Sequence, residues 1–176
     1  MARFLYRRHL SFGSFSDKWL FVVLSWIVGL VAGAACSASA GDSIVSLMCS
    51  AVQCRVSFIS LLGTMILPFL ISAFSVYVQA PFALYIVSFW KAFSHCFVFA
   101  GLCLAFPNSY WFIRWFLMFS DSLIIPVLFW FWLYILAKGS DRRLIFPVVT
   151  CSAAVFMITA IDYRIISAFL ADLKIF

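Results

Sequence analysis

Two ionisable side chains, Lys91 and His95, stand one helical turn apart inside the apolar run Pro81–Phe106 (PFALYIVSFWKAFSHCFVFAGLCLAF). At i and i+4 they share a helix face, with Ser88 roughly on the same side. A lysine near the middle of a membrane costs at least about 2.5–3.5 kcal/mol on insertion scales, so it should face a helix-bundle interior or an aqueous cavity. The acid to consider is Asp121. Counting about 1.5 Å per residue from the inner ends of the helices puts His95 and Asp121 at similar depth, with Lys91 roughly 10 Å nearer the cytoplasm. A His95–Asp121 contact is therefore the expected pair. Lys91 is expected to bond Ser88 or carbonyls freed by Pro68.

Such a cluster could be a charge-neutralised tie between helices, a proton or ion relay, or a hold for a lipid phosphate or partner. Hydrolysis has little support. His95, Asp121 and one of many serines could be assembled on paper, but the GxSxG elbow is missing and serine is ordinary packing in membrane helices. The sequence shows no phosphate-binding loop, zinc-type His/Cys set or Gly-rich cofactor turn, so no catalytic, cofactor or metal site is expected. The cysteines at 36, 49, 54, 96, 103 and 151 form no CxxC pair and read as small, soft helix residues.

The elements that must position the cluster are membrane helices. The 176 residues are 66% hydrophobic and only 10% charged, and they include no Glu; a soluble domain is about half apolar and a quarter charged. The net charge of +6 fits cytoplasmic-loop Lys and Arg setting orientation, not nucleic-acid binding.

The chain divides into a basic arm (1–18), one transmembrane helical domain (19–161) and an amphipathic tail (162–176). Five spans are expected, at about 19–40, 56–78, 82–106, 123–137 and 144–161. The first carries a small residue at every fourth position, Gly29, Gly33, Ser37 and Gly41, which lets another helix approach closely, whether from the same chain or a partner subunit. Asp42–Gln53 is too polar to span. It reads as an interfacial amphipathic helix with Ile44, Leu47, Met48 and Ala51 on one face and Asp42 as its cap. Arg55 should snorkel at the outer end of the second span, Pro68 should kink that span, and the short turn at Gln79–Pro81 makes the second and third spans antiparallel neighbours.

Tyr110 to Ala137 could be one long helix with Asp121 in lipid. We read it instead as a short re-entrant or interfacial helix (110–119), then Ser120-Asp121-Ser122 as a capping polar turn for the fourth span. Pro126 would then sit in that span's first turn, and Trp130, Trp132 and Tyr134 would mark the cytoplasmic interface. With an inner N-terminus, five spans put Arg3, Arg7, Arg8, Lys18, Lys138, Arg142 and Arg143 on the inner side and the tail outside. The overall expectation is an all-α polytopic membrane bundle.

This order of features resembles the stage II sporulation protein M family. The matching points are Arg7-Arg8-His9 before the first span, Gly29-Leu-Val-Ala-Gly33-Ala34 inside it, and the turn at Pro81. Lys91 stands at the family's intramembrane Lys-Gly, Ser120-Asp121-Ser122 with Leu123-Ile-Ile-Pro126 at its Pro-Gln-Asn turn, and Asp162 at its acid near the last span's end. The chain departs in having Ala92 after Lys91, Cys96 at the next small position and no Pro-Gln-Asn, so it looks like a diverged member. The resemblance implies a non-enzymatic scaffold in the cell membrane that holds two cell-wall-cleaving partners, one amidase-like and one transglycosylase-like, during engulfment of the forespore. Asp42–Cys54, Pro107–Phe119 and Asp162–Phe176 would form its outer surface. The competing reading is a small transporter or permease subunit.

Overall fold

The computed structural model describes residues 15–53, 57–77, 82–105, 107, 118–138 and 145–172. Within them the chain is all α, with six helices: α1 (Phe15–Ala40), α2 (Asp42–Gln53), α3 (Phe58–Tyr77), α4 (Phe82–Ala105), α5 (Phe119–Lys138) and α6 (Ile145–Asp172). Four contain stretches long and apolar enough to cross a membrane, namely Asp17–Ala40, Phe58–Ser75, Phe82–Ala105 and Phe146–Arg164; Asp121–Ala137 is a shorter apolar helix. The basic arm through residue 14, Arg55, the Gln79–Pro81 turn, residues 110–117 of the expected re-entrant helix and the loop at 139–143 lie outside the described residues.

α1 and α4 form the most extensive pair, and the glycine stripe is the reason. A Cβ added at Gly29 would strike the Phe89 carbonyl and Ala92, and one at Gly33 would strike the Phe93 carbonyl and Phe97 N. The two helices run parallel, since the later glycine meets the later residues. The stripe therefore serves a helix of the same chain. Lacking side chains there, the backbones close up and gain dispersion contacts that lipid tails cannot match. Ser37 continues the face and is fully buried. Gly41 does not belong to it: nothing lies within 4 Å of a Cβ there, and its φ of +52° marks the left-handed residue that ends α1 and lets α2 fold back. Gly33→Ala should force the α1–α4 pair apart at a cost of about 1–3 kcal/mol. A lowered unfolding midpoint in a detergent titration of the purified protein would show it.

α2 lies over the far end of α4, with Ile44 and Met48 buried against Leu102 and Met118. Gly101 sits beneath Ile44 and Met48, close enough that a Cβ would touch both. Ser43, Ser46 and Ser50 are exposed, as the amphipathic reading required, but Leu47 is exposed as well. The apolar stripe of α2 is therefore narrower than its sequence suggests.

The remaining helices form a second group. α3 and α6 are antiparallel, the start of α3 (Phe58) meeting Phe156 and Tyr163 late in α6. α5 packs on α6, α3 and, more lightly, α1. The main apolar cluster joins both groups through Val22, Met65, Phe69, Leu84, Val87, Ile124, Leu128, Phe131 and Trp132, among others. α6 continues without a break through residues 162–172, so the tail begins as an extension of the last apolar helix.

α5 begins four residues earlier than expected. Ser120-Asp121-Ser122 lies inside its first turns instead of forming a capping turn ahead of it, and the Ser122 amide already bonds the Met118 carbonyl at 2.9 Å. Three polar residues do not break the helix here, because Asp121 finds partners on α4 and its charge suits a helix N-terminus.

Candidate polar centre between α4 and α5

Asp121 holds both cations of α4. The Lys91 ammonium donates to Asp121 Oδ1, and His95 Nδ1 lies 2.6 Å from Oδ2. The two oxygens of one carboxylate thus serve two donors spaced one turn apart, a bridge that the i, i+4 spacing makes possible. The His95–Asp121 contact is the one expected from depth. The expected separation of Lys91 from Asp121 is wrong. Depth counting locates Cα atoms, whereas lysine's four-carbon stem carries its charge about another turn along the helix.

Ser88 is not Lys91's partner. Its hydroxyl is fully buried and donates 2.8 Å to the Val22 carbonyl, tying α4 to α1. The partner of Lys91 is Asp121, in place of the groups first assigned to it.

The centre sits at mid-depth. Lys91 and His95 lie near the middle of α4, at the level where Gly29 and Gly33 of α1 pack. From Asp121, α5 runs back towards the start of α1, reaching Trp19 and Trp26 with Phe129. One side of the centre is the main apolar cluster, and the other is the smaller cluster of Ile44, Met48, Leu102 and Met118. α4 packs on α1, α2 and α3, while α5 packs on α1, α3 and α6; α4 and α5 are not themselves a closely packed pair. Long polar side chains span the space between them. Electrostatically the site is an ion pair with an imidazole on its free oxygen. It can neutralise charge and orient α5.

A second polar contact escaped the sequence reading. Trp132 is fully buried and its Nε1 donates to Ser72 Oγ at 2.8 Å, so α5 is also tied to α3. Trp132 is therefore not part of an interfacial belt. Trp130 and Tyr134, four apart, share the opposite, outer face with ring centroids 5.9 Å apart. That two-residue offset between Trp130 and Trp132 was the available signal: on a helix, residues two apart point about 200° away from each other. Trp132→Phe should keep the packing but drop the hydrogen bond, a loss of about 0.5–1.5 kcal/mol readable in the same detergent titration.

Asp162 is buried in α6, beside Tyr163, whose ring meets Phe58. Among the described residues no group of three or more His, Cys, Asp or Glu could hold a metal ion. Compared with protein-family models, curated proteins and solved structures, the chain matches none.

Proposed function

We propose that this protein is a non-enzymatic integral membrane scaffold. The observation that carries the reading is that Asp121 binds both Lys91 and His95, so the cluster's charges hold one helix to another. Beside it, Ile124, Leu128, Phe131 and Trp132 are fully buried and fill the junction of α1, α3 and α5. A bundle with a filled core offers its outer surfaces to partners. In this reading α5 completes a fifth crossing, α2 lies in the interface, and the N-terminus is cytoplasmic. The resemblance to the stage II sporulation protein M family supplies the partner class: an amidase-like and a transglycosylase-like cell-wall enzyme at the septal membrane.

One observation favours a second reading, a small transporter subunit: the charged centre spans two helices that do not pack closely. Affinity capture from mildly solubilised membranes separates the two. Recovery of wall hydrolases supports the scaffold, whereas a stoichiometric ATPase or a retained small molecule overturns it. Lys91→Ala should reduce partner retention more than Lys138→Ala; equal and negligible effects would remove Lys91 from the functional set.

A further inference from the structure

We infer that the space between α4 and α5 is a water-filled crevice that brings solvent protons to His95 and Asp121. The inference does not depend on the partners proposed above. Its first support is exposure. The side chains of Lys91, His95 and Asp121 are 11%, 18% and 18% accessible, while Ile124 and Leu128, one and two turns further along α5, are at 0%. Charged atoms at mid-depth that are open to hydrocarbon would be prohibitively unfavourable, so the open part of the site must meet water.

The second support is Ser122, the neighbour of Asp121. Its hydroxyl is buried and has no protein partner. Its carbonyl receives no helical hydrogen bond either, because residue 126 is proline and has no N–H to give. Buried polar groups left without protein partners are ordinarily satisfied by bound water. One such hydroxyl, with a carbonyl that Pro126 leaves without its helical donor, stands next to the carboxylate that binds both α4 cations.

Towards the start of α1, the main cluster seals the junction with residues from α1, α3, α4, α5 and α6. Around the imidazole, α1 carries no titratable side chain between Lys18 and Cys36, and α3 carries none from Phe58 to Ser75. α6 brings Cys151, buried in the main cluster, and, at the level of Phe58, Asp162, Tyr163 and Arg164. α2 brings Asp42 and Cys49, and α4 itself adds Tyr85, Cys96 and Cys103. The charge His95 bonds is Asp121, whose other oxygen holds Lys91.

The test uses the full chain with its native cysteines replaced by Ala or Ser, reconstituted in phosphatidylethanolamine/phosphatidylglycerol vesicles. His95→Cys and Ile124→Cys are compared for reaction with a membrane-impermeant trimethylammonium methanethiosulfonate. The cysteine at 95 should react roughly a hundredfold faster, because a cationic reagent is excluded from hydrocarbon. His95→Cys keeps the Lys91–Asp121 ion pair, and monodisperse elution of each variant controls for folding. As a check without cysteines, diethylpyrocarbonate should modify His95 in His9→Gln protein, read by peptide mass. Equal rates at 95 and 124, or an unmodified His95, would each overturn the crevice.

Discussion

Asp121→Ala should cost about 3–5 kcal/mol of stability, because it leaves the Lys91 ammonium at mid-depth without a counter-charge. The loss should exceed that of either single α4 change. His95→Gln removes one hydrogen bond to a carboxylate, worth about 1.5–3 kcal/mol. A double variant, Lys91→Met with Asp121→Leu, should regain most of the loss, since an apolar pair of similar volume needs no compensation. Unfolding in mixed micelles, run as a double-mutant cycle, measures the coupling. A change within about 0.5 kcal/mol for Asp121→Ala would place that carboxylate among ordinary surface positions and end its structural role.

Trp132→Ala is the second large effect expected, at about 3–5 kcal/mol. Trp132 is fully buried between Phe129 and Trp26, at centroid distances of 5.4 Å and 6.2 Å, and bonds Ser72. In a membrane the transfer part of this cost shrinks, because lipid is as apolar as the core. The cavity and lost contacts remain. Truncation also leaves Ser72 without its donor, although its own hydroxyl still donates to the Pro68 carbonyl. The exposed Trp130→Ala, two residues away, serves as the matched comparison. If both variants unfold at the same detergent fraction, α5 is not anchored through Trp132.

How far the residues could be read depended on the kind of question. The apolar runs, the amphipathic character of 42–53 and the antiparallel succession of long helices followed from composition and periodicity, because hydrocarbon demands internally satisfied backbone and admits few alternatives. Gly29 and Gly33 were legible as a contact face, but whether the contact lay within the chain was not. Their spacing reports only that some backbone comes close; Phe89 and Phe93 on α4 supply it. Gly41 shared the spacing without sharing the role, since a left-handed residue at a helix end looks the same in a sequence.

The candidate centre shows the same division. Lys91 and His95 announced themselves, because ionisable residues in an apolar run must be partnered, and residue spacing alone puts them on one face. Asp121 was identified as the acid, and its bond to His95 came from depth. Two other features could only be settled by the tertiary structure. It starts α5 at Phe119, which puts Asp121 within a helix, and it brings one carboxylate between both cations of α4. The physical reason is that sequence periodicity sets where a side chain leaves its helix. Where its charge ends depends on how long the side chain is and what lies across the gap.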